Sequence, residues 1–145
     1  VAQKEVIVSG ITASSKPYDG TPNATVNASG AIITGKETGD NLTVSVSAGS
    51  TFDSADVGSR TVTLGALTLG GASAGNYKLA ASGNQTTATA NITVRDLTVK
   101  PDSGQRKTFG DADPALTYAY SGEVSGETPV FDGALSREAG EDVGQ

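Results

Sequence analysis

Apolar side chains alternate with threonine and serine along several segments of this chain. The clearest run spans 87–94, where every second side chain is apolar, and shorter runs of the same kind lie at 42–47 and 61–64. Because successive side chains of a β-strand point to opposite faces, this period predicts strands with one buried and one solvated face. Threonine suits the solvated face, since its branched Cβ fits a pleated surface.

Clusters of turn-forming residues separate these runs. They contain Gly, Asn, Asp or Pro and lie at 19–22, 39–41, 70–71, 82–84 and 125–126. Many short strands with frequent turns are typical of an antiparallel sandwich. We therefore predict an all-β chain built on an antiparallel Ig-like β-sandwich module. A β-grasp-like module is the alternative, and a helix crossing one sheet would favour it.

The chain also repeats itself, at an offset of 91 residues that falls to 87 after a loop and to 86 at the last aligned segment. Aligned positions are 16–20 with 107–111, Val6 with Leu97, Val8 with Val99, Gly35 with Gly122, Gly39 with Gly126, and 56–58 with 142–144. The first copy continues through further strands after its last aligned position, whereas the second copy ends there. We therefore predict two domains, a β module at 1–95 and an incomplete, truncated second β module at 96–145.

This organisation has consequences for the second copy. Because it lacks the final strands of the first, we expect it to expose a strand edge and an apolar face. Such a unit should be mobile, or completed by pairing with another chain or by swapping. The join at 94–97 has neither Gly nor Pro, which favours a stiff connection between the copies.

Composition and charge exclude several classes of chemistry. The chain has no Cys and no His, so it offers no disulfide, no thiolate or imidazole metal ligand, and no catalytic group that needs either residue. We expect no catalytic residues and no enzyme. The net charge of −6 lies wholly within 96–145, and no basic patch with interleaved aromatic residues is present, so nucleic acid is not expected as a partner. No apolar run is long enough for membrane insertion.

Two segments resemble known repeat families. The stretch that begins at 16 resembles the opening of the YDG-type repeat, and the stretch that begins at 107, followed by 133–137 and 140–144, resembles the related MBG-type repeat. The residues that carry the resemblance are Lys16, Tyr18, Asp19 and Gly20 in the first copy and Lys107, Phe109, Gly110 and Asp111 in the second. Phe109 stands where the pattern usually has Tyr.

The resemblance implies a function. Such repeats occur in tandem in very large bacterial surface proteins, including filamentous-haemagglutinin-like adhesins. It therefore implies an extracellular structural repeat, in the stalk of a secreted or cell-surface adhesin, that acts as a rigid spacer beside neighbouring repeats of the same polypeptide. The alternative is a module that binds a host or biofilm glycan or a protein. An exposed aromatic patch would favour binding, and a featureless Thr/Ser surface would favour a spacer.

The signature residues also have a direct physical interpretation. Tyr18 and Phe109 each precede a tight turn that contains a glycine, and the aromatic ring can cap one end of a thin core. In a strand, the lysine two residues earlier shares a face with that ring, so its stem can cover the ring. An alternative for the lysines is an intramolecular crosslink; the candidates are Lys4 or Lys16 with Asn84 or Asn91, beside Glu5.

Paired acids in loops are the candidate metal ligands. Calcium takes six to eight oxygen ligands, often from carboxylates at such spacings. The candidates are Asp53, Asp56, Asp111 and Asp113, with a further acidic pair at 141–142. None of them matches an EF-hand loop, and solvated turns explain them equally well. No other cofactor is expected.

Five asparagines begin an Asn-x-Ser/Thr pattern, which is the acceptor pattern for N-glycosylation. They are Asn23, Asn27, Asn41, Asn84 and Asn91. Threonine-rich alternation generates the same pattern without any modification, so both interpretations stay open.

Overall fold

The structure is a computed structural model that describes residues 1–140. Within this range it consists of short β-strands and a single 3₁₀ turn at Ala74–Asn76. The prediction of an all-β, sandwich-like fold is confirmed. The described residues contain no α-helix, so the helix that would favour a β-grasp module does not occur among them. By its contacts the chain divides into a first unit, Val1–Val94, and a second unit that begins at Arg95.

The strands are numbered in chain order. Those of the first unit are β1 (Lys4–Ser9), β2 (Thr12–Ala13), β3 (Lys16–Pro17), β4 (Val26–Asn27), β5 (Ile32–Thr34), β6 (Thr43–Val46), β7 (Thr51–Phe52), β8 (Gly58–Thr63), β9 (Leu67–Gly70), β10 (Tyr77–Leu79) and β11 (Thr87–Thr93). Those of the second unit are β12 (Thr98–Pro101) and β13 (Tyr118–Ser121).

The first unit contains two larger sheets and two strand pairs. One sheet has the order β10-β1-β5 and the other the order β3-β11-β8-β7, while β2 pairs with β4 and β6 with β9. Two pairings are parallel, β1 with β10 and β3 with β11. The others are antiparallel, and the longest joins β8 to β11 over six residue pairs.

One core cluster lies on the four-stranded sheet. Its buried members are Phe52, Val62, Ala90 and Ile92. Ala90 and Ile92 are alternate residues of β11, and Asn91 between them and Thr89 and Thr93 on either side are exposed, which is the arrangement that the alternation predicts. Full burial of a Val or Ile side chain contributes about 1.5–3 kcal/mol, so Val62 and Ile92 are the main anchors of this sheet.

A second cluster lies on the three-stranded sheet. Val6, Leu42 and Tyr77 are its buried members, and Val8 is also fully buried. The buried Ser50 hydroxyl accepts a hydrogen bond of 2.9 Å from the Gly65 amide, so this polar group is satisfied. The fold of the first unit therefore rests on two thin cores, each filled from one face of a sheet.

The second unit has much less core. Strands β12 and β13 form an antiparallel pair in which every residue is exposed. Tyr118 and Tyr120 contact the half-buried Phe131, and their ring centroids lie 5.8 and 5.3 Å, respectively, from the centroid of the Phe131 ring. Leu97 and Val99 are also exposed. The prediction that this unit exposes an apolar face is confirmed.

Each unit contains a strand pair, and the two pairs have the same register. In the first unit Ile7 faces Thr34 across β1 and β5. The aligned residues of the second unit, Thr98 and Ser121, face each other across β12 and β13. The next two pairs of each ladder correspond in the same way, so the sequence repeat is also a structural repeat. Its aligned segment 142–144 lies outside the described residues.

Candidate functional site

The first signature segment begins on β3. Lys16 and Pro17 pair in parallel with Ile92 and Thr93 of β11, and the Tyr18 amide continues the ladder by donating to the Thr93 carbonyl at 2.8 Å. The chain then turns, and Gly20 adopts a φ of 75°, a conformation that strains other residues. The end of the longest strand therefore fixes the position of the signature turn.

Lys16 holds this turn closed. Its Nζ donates to Asp19 Oδ1 and to the Thr21 carbonyl, both at 2.8 Å, and lies 3.1 Å from Thr21 Oγ1. The same Asp19 oxygen accepts hydrogen bonds of 2.9 Å from the Thr21 amide and hydroxyl. These bonds, chiefly the one from Lys16, lower the pKa of Asp19 from 3.8 to about 2.

The same lysine connects the turn to the core. Its ammonium group lies 5.5 Å from the centroid of the Phe52 ring, which is within range of a cation–π interaction. Tyr18 packs against the cluster that contains Phe52, in agreement with the capping role predicted for it. Sequence reasoning named Tyr18 as the ring that the lysine covers and missed Phe52, because no local pattern connects residue 52 with the turn.

The second signature segment forms a different ion pair. Lys107 Nζ lies 3.0 Å from Asp113 Oδ1, and Arg137 Nε donates to the same oxygen at 2.8 Å. Arg137 and then Lys107 lower the pKa of Asp113. Gly110 has a φ of 88°, but Phe109 is 67% exposed, so the aromatic side chain caps no core here. A shallow depression of about 420 Å³ lies beside this turn, lined by Arg106, Lys107, Thr108, Asp111, Ala112 and Pro114.

The structure does not gather the candidate calcium ligands into one cluster. Asp56 accepts a 2.8 Å hydrogen bond from the Ser54 hydroxyl and lies 4.0 Å from Arg60, while Asp113 is held by two cations. Asp53 belongs to the first unit and Asp111 to the second. Within residues 1–140 no three or more His, Cys, Asp or Glu side chains come together as a metal site. The acidic pair at 141–142 lies outside the described residues.

The five candidate glycosylation sites differ in accessibility. Four asparagines are exposed: Asn23, Asn27, Asn41 and Asn91. Asn84 is half-buried, and both ends of its amide are engaged. Its Oδ1 accepts from the Val8 amide at 2.9 Å, and its Nδ2 donates to the Ala80 carbonyl at 2.7 Å. A glycan on Asn84 Nδ2 would have to displace the bond to Ala80.

Gln85 continues this backbone recognition, and sequence reasoning missed it. Its Oε1 accepts from the Ile11 amide at 2.8 Å, and its Nε2 donates to the Ile11 carbonyl at 2.7 Å. Its own amide donates to the Val8 carbonyl at 2.8 Å. After β10 ends, Asn84 and Gln85 thus continue the hydrogen bonding to the backbone of Val8 and Ile11, as a further residue of the strand would. Period-two patterns give no signal for such side chains.

Other partners engage the side chains of four candidate crosslink residues, Lys4, Lys16, Asn84 and Glu5. Lys4 binds Glu37, which raises the pKa of Lys4, and Glu5 forms a 3.1 Å ion pair with Lys78. Lys16 is engaged in the signature turn, and Asn84 binds the backbone as described. The structure directs these side chains toward neighbours other than those required for a Lys–Asn bond.

Tyr77 connects β10 with the turn at 37–40. Its hydroxyl accepts a 3.0 Å hydrogen bond from the Glu37 amide and donates one to the Asp40 carboxylate. The hydrogen bond to the Asp40 carboxylate raises the pKa of Tyr77, because only the protonated hydroxyl can donate it. The Asp40 amide in turn donates to the Glu37 carbonyl at 3.3 Å. One tyrosine therefore fixes the turn against the three-stranded sheet.

Among residues 1–140 no helix is long and apolar enough to cross a membrane.

Comparisons with known proteins agree with these repeated features. No curated protein and no solved structure matches the chain. A family model described as the YDG domain matches residues 2–88, and one described as the MBG domain (YGX type) matches residues 97–145. The chain therefore belongs to the YDG domain family, and an MBG domain of the YGX type follows its YDG domain in tandem.

Proposed function

We propose that this chain is a structural repeat module of the stalk of a secreted or cell-surface bacterial adhesin, where it acts as an extracellular spacer. The observation that carries the proposal is the tandem arrangement itself. Two related repeat domains follow each other with one strand pair conserved in register. A tandem array of such units extends a chain by repetition, which is the property that a stalk requires.

The pairing pattern of the first unit suits a load-bearing role. The chain enters through β1 and leaves through β11, and each of these strands has a parallel partner, β10 and β3. When two parallel strands are pulled from the N-terminal end of one and the C-terminal end of the other, their hydrogen bonds are loaded together in shear. Bonds that share a load must break together, so this geometry resists extension.

The surface of the first unit also fits a spacer. On the four-stranded sheet, Thr61 and Thr63 of β8 face Thr89 and Thr87 of β11, and all four are exposed. Cross-strand threonine pairs stabilise a sheet on its solvated side. A surface of this kind remains soluble without presenting an apolar or charged patch to a partner.

Single-molecule force spectroscopy tests the mechanical role. Because the chain has no native cysteine, two introduced thiols define unique attachment points. Val1→Cys with Val94→Cys applies force along the chain through the first unit, and both positions are exposed. Ser9→Cys with Ile32→Cys is the matched control, because these residues face each other across β1 and β5 and force there opens one bonded pair at a time.

We expect the end-to-end geometry to unfold at a force several-fold higher than the control geometry. The reason is the simultaneous loading of the parallel pairs. Equal unfolding forces in the two geometries would contradict a mechanical specialisation of the first unit. Surface biotinylation of intact cells that express the parent protein tests the extracellular location, since labelled lysines of this module would then be recovered without lysis.

Binding of a partner is the second candidate, and the second unit favours it. Tyr118 and Tyr120 are 44% and 37% exposed around Phe131, which is the aromatic patch expected of a binding module. In register, Tyr120 takes the place of Ile33, a residue packed against a core cluster in the first unit. This face would therefore take a polypeptide partner of the kind that covers its counterpart.

A further inference from the structure

The signature turn of the first unit contains a chemically reactive pair of residues. Asp19 is followed directly by Gly20, and the sequence has one other Asp-Gly pair, Asp132-Gly133. In such a pair the glycine amide nitrogen can attack the aspartate Cγ, because no glycine side chain shields that nitrogen. A five-membered succinimide forms, and one side-chain oxygen leaves as water.

Hydrolysis of the succinimide completes an isomerisation. Water that adds to the former side-chain carbonyl restores aspartate, whereas water that adds to the former main-chain carbonyl yields isoaspartate. The water consumed replaces the water released, so the mass does not change and no other reactant is needed. In isoaspartate the main chain runs through Cβ and Cγ, which makes it one atom longer.

The turn depends on both residues of the pair. Gly20 has a φ of 75°, a conformation that strains residues with a side chain. Asp19 Oδ1 accepts a 2.9 Å hydrogen bond from the amide of Thr21, two residues later, which is the arrangement of an Asx-turn. The fold therefore retains a reactive pair at this position.

Three donors restrain the carboxylate that would react. Lys16 Nζ donates to Asp19 Oδ1 at 2.8 Å, and the Thr21 amide and hydroxyl each donate to the same oxygen at 2.9 Å. To turn its Cγ toward the Gly20 nitrogen, the carboxylate would have to rotate away from these donors. The contacts that close the turn thus oppose the first step of the reaction.

The same contacts also disfavour the reactive protonation state. A carboxyl group loses an oxygen as water far more readily when it is protonated. Because Lys16 and then Thr21 lower the pKa of Asp19 from 3.8 to about 2, the protonated fraction at neutral pH falls by roughly 10- to 100-fold. The Lys16 side chain is 19% exposed, so solvent has little access to the lysine side of this ion pair.

We propose that Asp19-Gly20 is a latent site of isoaspartate formation, which the ion pair with Lys16 keeps unreactive while the turn is closed. Lys16 is a positioning residue here, since it acts through the carboxylate of Asp19. This inference does not depend on the stalk function. It rests on the sequence of the turn and on the contacts to one carboxylate oxygen.

Isomerisation would damage the turn permanently. On one side the Tyr18 amide donates to the Thr93 carbonyl at 2.8 Å, and on the other the Phe52 amide donates to the Pro22 carbonyl at 2.7 Å. An additional main-chain atom between these two anchors would break one of them. A turn that has opened long enough to react could therefore not close again in the same way.

Incubation of the full chain measures the reaction. The folded chain and a peptide with the sequence of residues 16–23, Lys-Pro-Tyr-Asp-Gly-Thr-Pro-Asn, are kept side by side at mildly acidic pH. Digestion with an endoproteinase that cleaves before aspartate but not before isoaspartate, followed by mass spectrometry, quantifies isoaspartate at position 19. We expect the folded chain to form it at least about tenfold more slowly than the peptide, the scale of the change in protonation.

Substitutions of Lys16 test the ion pair. Lys16→Met removes the charge but retains an unbranched apolar side chain beside Phe52, and it should raise the rate at Asp19 about tenfold. Lys16→Arg retains the positive charge, so its rate should be much closer to that of the parent chain. Lys36→Met is the matched control; Lys36 is an exposed lysine of the same unit that donates to the Asp40 carbonyl, and its loss should leave the rate unchanged.

Two further measurements separate the ion pair from general stability. Gln85→Ala removes hydrogen bonds to Ile11 and leaves the turn intact, so its rate at Asp19 should stay well below that of Lys16→Met. Asp132-Gly133, quantified in the same digests, is the internal reference, and its rate should not respond to substitution of Lys16. Circular dichroism verifies that each variant is folded.

The comparison of the folded parent chain with the peptide remains decisive where Lys16→Met does not fold. Thr21→Val then provides a second variant, because it preserves a branched side chain but removes the hydroxyl that donates to Asp19; it should also raise the rate. Peptide-like isomerisation in the folded parent chain, an unchanged rate in folded Lys16→Met, or equal acceleration by Gln85→Ala and Lys16→Met would each overturn the proposal.

Discussion

Replacement of Gln85 by alanine should destabilise the first unit more than any other change of an exposed or half-exposed polar residue described above. The side chain forms three hydrogen bonds of 2.7–2.9 Å to backbone groups, two of them on the buried Ile11. Because alanine reaches none of these groups, the Ile11 amide and carbonyl would lose their partners. A buried group left unsatisfied costs about 1–3 kcal/mol.

Water can replace only one of the three hydrogen bonds that Gln85→Ala removes. The third bond, to the Thr87 carbonyl, is exposed, so water replaces it at little loss. The two bonds to Ile11 therefore determine the effect, and we expect a destabilisation of about 2–4 kcal/mol. That is a large part of the roughly 5–15 kcal/mol by which domains are stable.

Urea unfolding followed by far-UV circular dichroism measures the effect. The midpoint of the transition of the first unit should fall by about 1–2 M at an unchanged slope. Gln3→Ala is the control, because Gln3 makes one exposed bond of 3.2 Å to the Gly75 carbonyl; its effect should stay within about 0.5 kcal/mol. A Gln85→Ala variant as stable as this control would refute the assigned role.

The isosteric variant Gln85→Glu separates hydrogen bonding from packing. It preserves side-chain volume, but at neutral pH it places a carboxylate oxygen against the Ile11 carbonyl, where the amide donated. We expect it to be at least as unstable as Gln85→Ala at pH 7. Its deficit should shrink when the introduced carboxyl is protonated and regains a donor. Equal stability of Gln85→Glu and the parent chain would show that the hydrogen bonds donated by Nε2 to the Ile11 and Thr87 carbonyls contribute nothing.

Three further predictions concern the signature turn, the candidate glycosylation sites and calcium. Because the folded-state pKa of Asp19 is about 2 against an ordinary 3.8, its ionised form stabilises the first unit above pH 3.8, and this contribution is lost as the pH falls through 2. Asp19→Asn should thus be less stable than the parent by under about 1 kcal/mol at pH 7, and the unfolding curves should coincide only once the pH is below 2. In glycopeptide mass spectrometry of native material, any glycan should be on the four exposed asparagines and not on Asn84. Millimolar Ca²⁺ should leave the melting temperature unchanged, and a rise that EDTA reverses would contradict this.

The strands and their faces could be predicted from the sequence. The alternating run at 87–94 corresponds to β11 and the run at 42–47 to β6. Strand direction could not be predicted, because parallel and antiparallel partners produce the same period-two pattern. The parallel pairing of β1 with β10 brings together residues at opposite ends of the first unit, and no local feature of either segment indicates it.

The signature turn was predicted in part, for a related reason. The positions of Lys16 and Gly20 follow from spacing and from the conformational freedom of glycine, and both predict a tight turn. The ring beneath the lysine is Phe52, which reaches that position only after β7, β8 and β11 have formed one sheet. A side-chain contact created by tertiary structure leaves no trace in the spacing of the turn.

The two copies show which properties of a strand are local and which depend on its neighbours. Lys4-Glu5-Val6 and Arg95-Asp96-Leu97 share one chemical pattern, and the three residues that follow each pair in the same register with an antiparallel neighbour. Yet the first three residues are a strand and the second three are not. Local sequence therefore determines the register, through the following turn and the glycine that permits close approach. The length of the strand depends on whether a parallel neighbour is present, so adding that neighbour should convert residues 95–97 into strand without any change in their sequence.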